Sequence, residues 1–221
     1  MCIRDRLCLA ALVLAALLLR ATTSDAARTQ GPSFWAYGAA ALLALAPAAG
    51  IVPKLGSFGV RLAAPMYDHA KIALIDDIAR LGLPVGNPFL GGEGPLAYYY
   101  LWHFGAGVFA RLLGVSGWEA DIAFTWLTAL ASLSLMMGLA VALSGRRGAA
   151  LWVVPLSLAA SLRPLLQAML GKGAMVRLFA DYQPPQGWLV QASWVPQHLA
   201  AADCGVLAAL LIARLAARPG R

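Results

Sequence analysis

Glu119–Leu143 reads EADIAFTWLTALASLSLMMGLAVAL, and it decides the fold class. After Asp121 it runs to Leu143 with no charged side chain, longer than the roughly 20 apolar residues that cross a bilayer. Its two acids stand at the first turn, where a helix dipole favours negative charge. Working outward, Ser33–Pro53 is an uncharged run long enough to span. Ala149–Leu170 is apolar except for Arg163, and Val190–Ala213 is apolar except for His198 and Asp203. Leu7–Leu19 is a shorter apolar run at the start. The expected fold is all-α, a polytopic transmembrane bundle of about five spans, forming a single transmembrane domain over 1–221.

Composition agrees. Of 221 residues, 61% are hydrophobic and 12% charged. Soluble domains carry about 25% charged residues, and a globule of this length needs a polar skin that this chain lacks. The mean hydropathy is +0.72. The net charge of +7 sits in short basic clusters at the ends of apolar runs. That arrangement follows the positive-inside rule rather than nucleic-acid binding. Cys2, Cys8 and Cys204 have no metal-like spacing and read as small apolar filler. Met1–Arg6 reads as a spurious leader, and the chain is expected to be a fragment of a longer polytopic protein. A signal peptide over 1–27 is the alternative.

Basic clusters set the topology. Arg146 and Arg147, with Arg214, Arg218 and Arg221, belong on the cytoplasmic side, and Arg20 and Arg28 fit it. Residues 54–118 and 171–189 then share the outer side. Tyr98–Leu113, YYYLWHFGAGVFARLL, is too short and too polar for a sixth span and reads as an interfacial or re-entrant helix.

The outer loop 54–118 holds most of the residues capable of chemistry. Pro65 precedes an amphipathic helix, Tyr67–Leu81, with Ile72, Ile75 and Ala79 as its apolar stripe, widened by Leu74, Ile78 and Leu81. Asp76 and Arg80 are spaced as an i,i+4 pair, and Gly82 suits a C-terminal stop. Asp68-His69 opens this helix. Asp68 reads either as an N-cap or as a carboxylate tuned by partial burial for general-base work. A Gly/Pro-rich loop follows and holds one acid, Glu93. Tyr98, Tyr99 and Tyr100 cannot share one helix face, so at least one is available to a groove above the membrane or to an aromatic belt. Arg163 suits a clamp on a lipid-linked phosphate or a snorkelling side chain. Gln197 and His198 enter the last span from the outer side behind Pro196. Asp203 lies deeper, where it can pair with Arg163. Phosphate-loop, dinucleotide and zinc-protease motifs are absent, so no metal site, cofactor or nucleic-acid partner is expected.

In order, Asp68-His69, Gly82-Leu83-Pro84, Asn87-Pro88, Tyr98-Tyr99-Tyr100 and a helix ending Leu112-Leu113-Gly114 resemble the first large periplasmic loop of GT-C-type membrane glycosyltransferases. The triple tyrosine is also similar to a group of multi-pass proteins marked by a YYY motif. The resemblance covers about 50 residues, and His69 stands where the family often has a second acid. It implies sugar transfer, hexosyl or pentosyl, from a polyprenyl-phosphate donor to an acceptor on the outer face of a bacterial inner membrane. Asp68 would be the catalytic base. His69, Glu93, Tyr98, Tyr99, Tyr100 and His103 would shape the sugar site, with Arg163, Gln197 and His198 near the donor phosphate. The expected partners are that lipid-linked sugar and membrane lipids. The rival reading is a transporter or lipid-binding membrane protein with Arg163 and Asp203 along a polar path.

Overall fold

The computed structural model describes residues 31–61, 65–91, 94–96, 98, 100–158 and 187–216, with backbone alone at 60, 61, 65–69, 89 and 214. In chain order the elements are α1 (Phe34–Ile51), strands β1 (Lys54–Gly56) and β2 (Gly59–Arg61), α2 (Pro65–Leu81), a 3-10 turn Pro88–Leu90, α3 (Leu101–Leu113), α4 (Gly117–Ser144), α5 (Ala149–Leu158), α6 (Trp188–Trp194) and α7 (Pro196–Ala216). Helix dominates, as expected. Among the described residues, three helices are long and apolar enough to cross a membrane: α1, α4 and Pro196–Ala213 of α7. Of the other two expected spans, Leu7–Leu19 lies outside the described residues and Ala149–Leu170 is described only over Ala149–Leu158.

Pro65–Phe124 belongs to one compact unit, Pro32–Ala64 and Thr125–Arg221 to a second. In the first, α2 packs on α3. Helix α2 starts at Pro65, not at Asp68. Pro suits a first helical position because its missing N–H has no partner there in any case. Asp68 therefore lies within the helix, and the N-cap reading is set aside. The buried stripe of α2 is Lys71, Leu74, Ile75 and Ile78, the i, i+3, i+4, i+7 pattern of one helix face. Leu74, Ile75 and Ile78 of the expected stripe are buried, whereas Ile72 and Ala79 are only half-buried and Leu81 is exposed, and Lys71 completes the face instead. Helix α3 answers with His103, Ala106, Gly107 and Ala110 at the same spacing.

The two helices approach most closely at Gly107. A Cβ there would stand 2.6 Å from Ile78 Cγ2 and 3.1 Å from the Ile75 carbonyl oxygen. The Gly82 N–H closes α2 on the Ile78 carbonyl at 3.0 Å, with the positive φ of 79° that glycine tolerates. The loop then folds back on itself. The Leu96 N–H donates to the Val85 carbonyl (3.0 Å) and the Asn87 N–H to that of Gly94 (3.1 Å). Val85 joins Leu74, Ile78 and Phe104 in a small core edged by Leu83, Leu96, Tyr100 and Val108. The expected Asp76–Arg80 pair does not form. Arg80 reaches Asp77 instead (3.4 Å) on the wet face.

In the second unit, Ala36, Ala40 and Ala44 of α1 meet Ala129, Leu133, Met137 and Val141 of α4, with Ala150, Val153 and Ala192. Small residues let helix backbones approach in lipid, where packing rather than the hydrophobic effect holds helices together. The Trp126 Nε1–H donates to the Ala41 carbonyl at 3.1 Å. The expected span Val190–Ala213 is broken at Val195: α6 ends at Trp194 and α7 begins at Pro196. Pro196 cannot continue a helix hydrogen-bond ladder but can start one. The β1–β2 hairpin is a strand pair that the all-α expectation did not include.

The helix crossing yields a direct test. Gly107→Ala drives a methyl into Ile78 and is expected to lower stability by about 1–3 kcal/mol. Gly138→Ala, in open space within α4, is expected to raise it by about 0.5–1 kcal/mol. Thermal unfolding of the detergent-solubilised protein checks both; equal midpoints for the two variants would contradict the packing.

Candidate functional site

The first unit encloses a buried polar cluster. Lys71 Nζ lies 3.3 Å from Asp121 Oδ2, with the two side chains only 5% and 3% exposed. His103 is 1% exposed. Its ring stands 5.3 Å from Trp102, edge-on, and 5.8 Å from Tyr98, and Trp102 in turn meets Phe124 edge-to-face at 5.8 Å. Three elements contribute: α2 gives the cation, α3 the imidazole and aromatics, and the start of α4 the carboxylate.

Local sequence explains why α4 begins where it does. Ser116 Oγ accepts from the Glu119 N–H (3.3 Å), while Glu119 Oε2 accepts from the Ser116 N–H (2.8 Å). These reciprocal bonds make a capping box. Asp76 of α2 adds a further acceptor, taking the Gly117 N–H at 2.8 Å. Helix α2 is thus tied to α4 twice, by Asp76 at Gly117 and by Lys71 at Asp121. The acids of the first turn of α4 are a cap and an ion-pair partner, more specific roles than dipole complements.

Burial first, and the Lys71 charge second, lower the His103 pKa from 6.5 to about 4. The imidazole is therefore neutral near pH 7, and its Nδ1 has no hydrogen-bond partner among the described residues. A neutral imidazole beside an ammonium can accept a proton or a hydrogen bond without adding charge to a dry site.

The other expected site residues fall as follows. Asp68 and His69 lie on α2, with Asp68 three residues before Lys71, the spacing of two positions on one helix face. Tyr98 is partly exposed and Tyr100 packs against the small core. Glu93, Tyr99 and Arg163 lie outside the described residues. Gln197 is buried and His198 exposed, both on α7 in the second unit. Tyr98 and His103 are thus brought together, and Lys71, Asp121 and Trp102, none of them an expected site residue, join them. Lys71 could have been found, since it stands at the i−3 and i−4 positions of the apolar face that runs through Leu74, Ile75 and Ile78. Among the described residues, no group of three His, Cys, Asp or Glu side chains is arranged to hold a metal ion.

Fold and cluster together define a mostly helical chain of membrane-crossing type carrying a separate polar unit. It is similar to the uncharacterized protein y4nK of Sinorhizobium fredii (strain NBRC 101917 / NGR234), at 40% identity over 187 residues. The match covers 83% of this chain and 28% of that protein, so the chain spans little more than a quarter of its relative's length. No family model and no solved structure matches the chain.

His103 makes stability depend on pH. Between about pH 6.5 and 4 the unfolded histidine takes up a proton that the folded one refuses, so stability falls as pH falls through that window. The loss expected between pH 8 and pH 5 is about 2 kcal/mol. Thermal unfolding at the two pH values measures it, and His103→Phe should remove most of the difference. An unchanged acid sensitivity in that variant would assign the effect elsewhere.

Proposed function

We propose that the chain is part of a GT-C-like membrane glycosyltransferase. It moves a hexosyl or pentosyl unit from a polyprenyl-phosphate donor to an acceptor on the outer face of a bacterial inner membrane. The observation that carries this reading is the concentration of polar chemistry in the α2–α3 unit. Lys71, His103 and Asp121 gather there beside Tyr98 and Trp102. Along the three span-length stretches, the charged side chains among the described residues are Glu119 and Asp121 at the start of α4 and Asp203. A transporter collects its polar groups near the midplane of its spans, so this distribution favours surface chemistry on a lipid-linked substrate. The 28 residues of α4 rise about 42 Å, some 12 Å more than the hydrocarbon thickness. That surplus lets its acidic first turns stand clear of the apolar core.

In this reading Asp68 takes the proton of the acceptor hydroxyl as its oxygen attacks the anomeric carbon. The bond from that carbon to the phosphate oxygen breaks, and polyprenyl phosphate leaves with the electron pair. Tyr98, the open ring beside His103, offers a face to the sugar. The neutral state of His103 suits a hydrogen bond to a sugar hydroxyl.

The test uses the full-length protein in membrane vesicles, supplied with radiolabelled polyprenyl-phosphate sugars. Asp68→Asn is expected to lower transfer by about 10²–10⁴-fold, the usual contribution of a general base, with membrane insertion unchanged. Retained transfer would remove Asp68 from the mechanism. No transfer by the unaltered protein from any polyprenyl-phosphate sugar would remove the reaction class.

A further inference from the structure

The β1–β2 hairpin follows α1 after only Val52 and Pro53. Two residues reach at most about 10 Å from the end of the helix to the first strand. A headgroup layer is itself about 5–8 Å deep. With α1 across the bilayer, the hairpin has nowhere to lie except in or against the interface.

Its residues fit that depth. The register pairs Lys54 with Arg61, Leu55 with Val60 and Gly56 with Gly59. Alternation along the strand places Leu55 and Lys54 on opposite faces. Leu55 is 90% exposed and Phe58, at the two-residue turn, 93% exposed. Both are large apolar side chains with no protein cover. Lys54 is exposed, and residues 32–64 hold Lys54 and Arg61 with no acidic residue, so the segment carries net positive charge. An anion from outside the segment complements that charge, and a phosphate at a lipid surface supplies it where Leu55 and Phe58 also find apolar cover.

We propose that this hairpin is an interfacial lipid anchor. Phe58 and Leu55 enter the boundary between headgroups and acyl chains, and Lys54, within a segment of net positive charge, takes up the phosphate of an anionic phospholipid. The anchor fixes the depth at which the chain leaves α1 for the polar unit, and it does not depend on the reaction proposed above.

The experiment uses the full chain with Cys2, Cys8 and Cys204 replaced by alanine. An environment-sensitive fluorophore is placed at Phe58→Cys, or at Gly148→Cys as an exposed loop control. The protein is reconstituted in phosphatidylcholine vesicles with or without phosphatidylglycerol. A lipid nitroxide carried near the headgroup is expected to remove most of the emission at position 58, aqueous iodide little of it, and the reverse is expected at 148. Phosphatidylglycerol should increase the nitroxide quenching at 58, and Lys54→Glu with Arg61→Glu should abolish that increase. Three results would overturn the proposal: iodide quenching at 58 equal to that at 148, no response to phosphatidylglycerol, or a response to polyprenyl phosphate with none to phosphatidylglycerol.

Discussion

The Lys71–Asp121 ion pair is the constraint around which the polar unit is organised. Two charges at 3.3 Å, both almost fully withdrawn from water, are costly to bury and tolerable only while each has the other. That requirement fixes the face α2 turns inward, because Lys71 must share it with Leu74, Ile75 and Ile78. It also fixes where along α4 the helix is met. Asp76 on the Gly117 N–H and the Ser116–Glu119 capping box hold the same helix start from two further directions. His103 is kept neutral in the same dry volume. Chemistry, helix register and helix start therefore depend on one another.

Much of the fold was legible in the sequence. Uninterrupted apolar runs give α1 and α4 directly, because their length and composition suit a membrane crossing, and Gly82 and Pro196 mark helix ends by backbone chemistry alone. What was hidden depended on contacts distant in sequence. Asp121 looks like a dipole complement until a lysine 50 residues earlier is known to face it. Asp76 looks like half of an i,i+4 pair until the Gly117 N–H is seen beside it. The break at Val195 was masked by the apolar character of both flanks, which read as one span. The hairpin was missed because each of its strands has only three residues, too short for an alternating pattern to register. Of the candidate site, Tyr98 and His103 came from the sequence as a pair of aromatic and imidazole groups; the charges beside them did not.

The two units divide the physical work. In the second, alanines and hydroxyl-bearing residues allow close helix contact, with Trp126 bonded to a backbone carbonyl of α1 and Trp188 Nε1 3.3 Å from Ser132 Oγ. These are contacts suited to a low-dielectric surround, where an unsatisfied polar group is expensive. In the first, ionisable and aromatic side chains gather on short helices and a hydrogen-bonded loop.

The most direct test is a double-mutant cycle on the ion pair, read as unfolding free energy of the solubilised protein. Lys71→Met or Asp121→Leu alone leaves one buried charge uncompensated and should cost about 3–5 kcal/mol. The double variant removes both charges and should recover most of that loss. A double variant whose loss equals the sum of the two single losses would show that Lys71 and Asp121 act independently, and would contradict the account.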